Sequence, residues 1–262
     1  MIHERPAERA RHENAPMRWG FRPTPSAQTP PLASTSSRMD AMCGRYADAR
    51  EEEVVETFGI TQVLGDLPRS ANVAPTQSVR IVRDVPPDAA GLTVRQLRSA
   101  RWGLLPSWVK SVGRPLINAR CETVTVKPSF RAAAGRRRAI VPASGYYEWA
   151  LQPDGAKLPL FLHSPDQPVL GFAGLYEWWR LPAGVTMPGS EDGWLCSTVI
   201  ITRAATDALG HIHDRMPVVV GPQFVDAWLD RTITRGSDVD ELLSAMGDPV
   251  LVPTAVSLPP LS

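Results

Sequence analysis

Cys43 stands directly after Met42, and that pair is the first hint of chemistry in the chain. Cysteine is small enough for an initiator methionine in front of it to be removed, so a chain started at Met42 would begin with Cys43. An N-terminal cysteine is a 1,2-aminothiol, with its amine near pKa ~8 and its thiol near ~8.5. Both groups are partly nucleophilic at neutral pH. An aldehyde condenses with the amine, and the thiol then closes on the imine to give a five-membered thiazolidine. The plain alternative is an internal cysteine behind a chance methionine, because free cysteine is most often a small buried apolar residue.

Further blocks surround this pair. NVAPTQ (72–77), RWGLLPSW (101–108), INARCET (117–123) and SGYYEW (144–149) are dense in Asn, Arg, Trp and Glu, and TRAATDALGHIHDRMPVVV (202–220) follows them. Together with CGRY at 43–46, and in this order, they resemble the SOS response-associated peptidase (SRAP) family of abasic-site processing proteins. The resemblance spans roughly residues 42–230. Each block is short, but several in fixed order are far more specific than a lone motif.

The resemblance implies that Cys43 is a catalytic mature N-terminus and that Asn118, Glu148 and His213 serve it. The implied substrate is an abasic site in single-stranded DNA, captured covalently, with self-removal of the residues before Cys43 as the peptidase activity. An abasic sugar shows its aldehyde only when its ring is open. His213, ordinarily near pKa ~6.5, suits ring opening. Glu148 suits the proton transfers of imine formation, and the amide of Asn118 suits orientation of the Cys43 amine. Arg45, Arg120 and Arg215 match family arginines expected at DNA phosphates. Asn72 and Pro75 match the block expected to shape the groove floor. Trp108 and Trp149 are candidates for stacking on bases, whereas Trp102 is expected in the core. Without the resemblance, Glu148 reads as a solvent-facing strand residue, His213 as a surface hydrogen-bonding group and Asn118 as a turn residue. The run Arg136-Arg137-Arg138 reads as an ordinary solvated charge run.

Two other function classes remain in view. Cys-Gly after a removable methionine also suits an N-terminal-nucleophile cysteine amidohydrolase, and the Arg and Trp blocks alone suit a non-catalytic single-stranded DNA-binding module. No cofactor is expected. Cys43, Cys121 and Cys196 are too widely spaced for a zinc ligand set or a disulfide framework. With no long apolar run, the chain is expected to be cytoplasmic (nucleoid-associated if bacterial), away from membranes and monomeric.

The 262 residues carry a net charge of +1. Setting aside the six arginines and four acids of 1–41 leaves 22 basic against 23 acidic residues. DNA binding must therefore come from a local patch rather than bulk charge. Residues 1–41 are rich in Pro, Arg, Ser and Thr without apolar periodicity, and read as a disordered extension or a start placed too early. Residues 42–262 read as one domain.

The elements that must position these side chains are mainly strands. Segments 79–83, 93–102, 138–142, 145–150, 159–163, 169–179 and 194–201 carry strand patterns. EEEVVETF (51–58) predicts a helix with Val54, Val55 and Phe58 on one side. A helix over 203–209 is predicted behind Thr202 as N-cap, another over 223–229 behind Gly221-Pro222, and a third over 240–246 from a capping-box-like Asp238/Glu241. Strands outnumber helices without regular βαβ alternation. The expected fold is α+β: a mixed, mostly antiparallel, barrel-like β core with flanking short helices. One departure from the family pattern lies in the tail. Where relatives continue with an asparagine-bearing segment, 252–262 ends early in prolines, so no groove contribution is assigned to it.

Overall fold

The computed structural model describes residues 43–65, 67–86, 91–205, 207–259 and 261; the extension 1–41 lies outside them. The strands are β1 (Tyr46–Ala47), β2 (Gln62–Leu64), β3 (Ser78–Val85), β4 (Val94–Trp102), β5 (Asn118–Arg120), β6 (Arg138–Ala143), β7 (Gly145–Leu151), β8 (Lys157–His163), β9 (Leu170–Arg180), β10 (Ser190–Glu191), β11 (Trp194–Ala204), β12 (Arg215–Pro217) and β13 (Val252–Ala255). The helices are α1 (Glu51–Phe58), α2 (Arg131–Arg136), α3 (Asp207–Gly210), α4 (Val225–Leu229) and α5 (Gly236–Ala245).

Five strands close on themselves in the order β4-β3-β6-β9-β11, and β11 returns to β4 through the parallel pairs Ser197↔Arg101 and Thr198↔Trp102. The other ladders of the ring are antiparallel. This is the expected mixed barrel with flanking short helices. Its strands read as nearly unbroken apolar runs because both of their faces are buried. One parity fills the interior with Val79, Ile81, Trp102, Val141, Phe172 and Ile200. The other parity, including Val82, Ile140, Leu175 and Val199, lies under Val54 and Phe58 of α1, Trp228 of α4 and Leu243 of α5. Gly171 of β9 makes room for this layer, since a Cβ there would stand 3.0 Å from the Phe58 ring. Among the described residues no helix is long and apolar enough to cross a membrane.

A second antiparallel sheet, β1-β7-β8-β13, leaves the barrel where β6 passes into β7. Its short edge β1 and its neighbour β7 hold the residues around Cys43.

Several expectations about the elements need correction. β11 continues through Ala204, so Thr202 is a buried strand residue in register with Pro217 and Arg120, and helix α3 spans only Asp207–Gly210. The end of β11 finds a partner on each side, β5 and β12, and this pairing overrides the local helix signal. Helix α5 starts at Gly236 behind Arg235, so Asp238 sits in the first turn instead of capping it. There it still faces the positive end of the helix and accepts from Arg235 Nε at 3.0 Å. The tail also folds back: β13 pairs with β8, and the Pro259 carbonyl accepts a hydrogen bond from Asn72 Nδ2 at 2.5 Å.

The arginine triplet is not one solvated run. Arg138 is 5% exposed and donates to the carbonyls of Trp228, Ala134, Ile233 and Asp230. It ties α2 and the chain after α4 to the barrel. Arg137 pairs with Glu177 at 2.7 Å.

Candidate active site

Glu148 lies in the middle of β7, between β1 and β8, with Leu160 opposite it across the ladder. The residue is 3% exposed, so the solvent-facing alternative does not hold. The Cys43 backbone nitrogen donates to Glu148 Oε1 at 3.0 Å. Cys43 is fully buried and holds a left-handed φ of 41°. Burial, and after it the Glu148 charge, pushes the Cys43 thiol up.

Glu148 itself is pushed up to about 7. Burial is the main cause, and the Asp214 charge acts in the same direction. Hydrogen bonds from the Cys43 and Trp149 N–H groups oppose both. The sign for stability follows. A carboxyl whose folded pKa lies above its unfolded value favours the fold while protonated, and that contribution is lost as pH rises from the unfolded value through about 7. The loss amounts to roughly 3 kcal/mol at 1.36 kcal/mol per unit. Glu148→Gln keeps an acceptor for Cys43 N–H but does not titrate. Denaturant unfolding between pH 4.5 and 8, with the chain verified as uncleaved by intact mass, is therefore expected to lose more stability in the wild type than in Glu148→Gln. Equal slopes for the two would remove the buried carboxyl as the source.

His213 stands between Ile212, which packs in the apolar cluster around Cys43, and Asp214, whose charge reaches Glu148. Its Nδ1 accepts the Arg215 N–H at 3.0 Å and also lies 3.0 Å from Asp214 Oδ1. One nitrogen cannot accept the first and donate to the second. Where Nδ1 accepts the Arg215 N–H, Nε2 is the ring nitrogen left to donate. Asn118 opens β5 in register with Ile200. The preceding carbonyl, Ile117, accepts the Trp102 indole N–H at 2.9 Å beneath the same cluster. Of the residues implied beside Cys43, Glu148 touches it directly; Asn118 and His213 follow Ile117 and Ile212, which pack in the apolar cluster that holds Cys43.

The residues expected along the DNA divide. Arg45 is half-buried and donates to Asn72 Oδ1 at 3.0 Å. Buried Asn72 therefore joins Arg45 to the tail carbonyl of Pro259. Pro75 is half-buried and Arg120 is exposed. Trp108 is 64% exposed, Trp149 half-buried and Trp102 fully buried. Arg215 stands apart. Its guanidinium grips both oxygens of Glu122, at 2.6 and 3.0 Å, and the Thr202 carbonyl at 2.6 Å. That pairing pulls the Glu122 carboxyl down to about 2. Arg215 is committed inside the fold, where it locks β12 and the segment after β5 together.

Tyr146 went unnoticed in the sequence. It is 1% exposed, and its hydroxyl is pushed up by burial and then by the charges of Cys43 and Glu148. Its position two residues before Glu148 on a strand was the available signal, since alternate residues share a face. Glu122 and Asp214 were likewise passed over, and only their spatial neighbours give them a role.

Residues 42–258 match the family described as SOS response associated peptidase (SRAP). Among similar proteins is the abasic site processing protein YoqW of Bacillus subtilis (strain 168), 35% identical over 210 residues that cover 78% of this chain and 86% of that one. The abasic site processing protein YedK of Escherichia coli (strain K12) is 28% identical over 78% of this chain and 86% of its own. A crystal structure of a protein from Bordetella bronchiseptica superposes with a TM-score of 0.66 at 24% identity, covering 82% of this chain and all (100%) of that chain. Its likeness speaks for the fold. With the buried carboxylate on the Cys43 nitrogen and this match along most of its length, the chain belongs to the SOS response associated peptidase family.

Proposed function

We propose that this protein processes abasic sites in single-stranded DNA by covalent capture on Cys43 as its mature N-terminus. The observation that carries the reading is the 3.0 Å contact between the Cys43 nitrogen and Glu148 Oε1. In the mature chain that nitrogen is a primary amine. It adds to the sugar aldehyde to give a carbinolamine, and a proton delivered to the hydroxyl lets water leave as the imine forms. The thiol then adds across the C=N bond, closing the thiazolidine with the net loss of one water. A carboxyl buried against the reacting nitrogen can give and take those protons. A purely non-catalytic binding module gives no reason to bury a carboxylate there. The similar proteins named as abasic site processing proteins support the substrate.

Glu148→Gln and His213→Ala are expected to slow adduct formation with abasic single strands by about 10²–10⁴-fold, with little change in affinity for intact single strands. Boil-resistant adduct is measured against time on a denaturing gel, and affinity by fluorescence anisotropy. Parallel losses of rate and affinity would assign both residues to binding.

In the same reading Arg45 and Arg120 meet the DNA backbone and Trp108 stacks on a base. Arg120→Gln is expected to reduce the slope of log K against log salt by roughly 0.7, one single-strand phosphate contact. Trp108→Ala is expected to weaken binding by about 1–3 kcal/mol with the slope kept. Arg215→Gln serves as the contrast, because releasing Glu122 is expected to lower stability first. A full slope in both Arg45→Gln and Arg120→Gln would move the DNA path elsewhere.

A further inference from the structure

Beside the Asn72–Val73 segment lies an open cleft of about 390 Å³, within the size range of ligand sites. Two guanidinium groups, Arg69 and Arg101, line it, and among the described residues its lining includes no carboxylate, although the charges of Asp48 and Glu53 reach Arg69 from outside it. Ser78 and Thr76 add hydroxyl groups, and Leu67, Pro68 and Pro188 give it an apolar side. Val73 belongs both to this lining and to the apolar cluster around Cys43, so the cleft adjoins the site.

The two arginines are lightly held. Arg69 uses Nε on the Asp48 carbonyl at 3.0 Å, and Arg101 reaches only the Gly103 carbonyl at 3.4 Å. Neither is in an ion pair among the described residues. Burial lowers the Arg101 guanidinium, and no carboxylate among the described residues offsets it. Thr76, on the rim, is held at φ 74° by a hydrogen bond from its N–H to the Trp102 carbonyl at 2.8 Å. A β-branched residue in that region is strained, and such strain collects at functional sites. A half-buried cation with no counterion among the described residues, next to a second cation, hydroxyl groups and an apolar wall, is complementary to one phosphate with its sugar and base.

We infer that this cleft receives the nucleotide next to the abasic site, its phosphodiester on Arg69 and Arg101 and its sugar and base against Leu67, Pro68 and Pro188. The inference rests on the reading of abasic-site capture and extends it along the strand.

The test uses the mature protein and three abasic oligonucleotides: one flanked on both sides, one cut back on the 5′ side and one cut back on the 3′ side. Wild-type protein is expected to bind one truncated strand roughly tenfold or more weakly, the loss of a charge-assisted phosphate contact. Its salt slope should fall by roughly 0.7 on that strand. Arg101→Gln, and independently the exposed Arg69→Gln, should bind the full strand with that lower slope and be indifferent to the same truncation. Because Arg69 lies on the surface, its variant keeps the test valid if Arg101→Gln unfolds. Wild-type sensitivity to truncation that persists unchanged in Arg69→Gln would overturn the subsite, as would insensitivity of the wild type to both truncations. Failure of wild-type protein to form any boil-resistant adduct with the full strand would instead overturn the capture reading beneath it.

Discussion

Cys43→Ala is expected to reduce boil-resistant adduct with abasic single strands to background. The substitution keeps an N-terminal amine, so an imine can still form, but without the thiol nothing closes the ring and the imine hydrolyses in the denaturing wash. Cys43→Ser separates the two steps, because an oxazolidine closes on the same imine and reopens more readily. Borohydride added during the reaction reduces imines to stable amines. It should therefore recover adduct from Cys43→Ala, provided Glu148 still serves the amine at 3.0 Å. Wild-type levels of boil-resistant adduct from Cys43→Ala without reductant would take the thiol out of the mechanism. Background levels even with reductant would show that the amine never meets the aldehyde. The burial that raises the thiol pKa gives this ordering a physical basis: the thiol stays protonated and waits, while amine chemistry comes first.

The barrel was legible in the sequence because its strands are buried on both faces. Segments such as 79–83 and 169–179 carry apolar residues at both parities, and little competes with a strand reading there. Helix α1 was legible to the residue, since Glu51, Glu52 and Glu53 open it and Gly59 ends it in a left-handed turn. What misled was local signal at places decided by distant chain. Residues 202–204 look like a capped helix start until β5 and β12 flank them. The tail 252–262 looks like an unstructured proline-rich end until β8 offers it an edge. The site shows the same divide. Cys43, Asn118, Glu148 and His213 rest on a resemblance of blocks, and the contact of Cys43 with Glu148, 105 residues away, comes only from the fold. Arg215 was read with the phosphate-binding arginines because a sequence shows a charge and not its counterion, and Glu122 lies 93 residues away. Arg69 and Arg101 were unremarked because neither stands in a basic run.

Before any capture the Cys43 nitrogen must be free. Joined to Met42 it is an amide, its lone pair delocalised and not nucleophilic. A start at Met42 with trimming of the methionine would free it, and so would scission of the Met42–Cys43 bond in a longer chain. The site is suited to the second route. In the uncleaved chain Glu148 lies 3.0 Å from the leaving nitrogen with a pKa of about 7. Water adds to the Met42 carbonyl carbon, the C–N bond breaks as the nitrogen takes the proton that Glu148 holds, and the new Met42 carboxyl group gives up a proton to the freed amine, while the proton shed by the water returns to Glu148. Scission also removes the torsion that keeps Cys43 at φ 41°, a left-handed conformation costing about 1–3 kcal/mol in a non-glycine residue. Once an ammonium replaces the amide, its charge pulls the Glu148 carboxyl down, leaving a carboxylate ready to take protons from the amine. Purified full-length protein is therefore expected to lose residues 1–42 faster below pH 7 than above it, as followed by intact mass. Glu148→Gln should retain them and form no adduct, whereas the same variant begun at Met42 and trimmed to Cys43 should form adduct slowly. Equal cleavage in Glu148→Gln would take that carboxyl out of the scission. A full-length chain that keeps residues 1–42 and still gives boil-resistant adduct would overturn the role of the Cys43 amine, since the bond to DNA would then need another nucleophile.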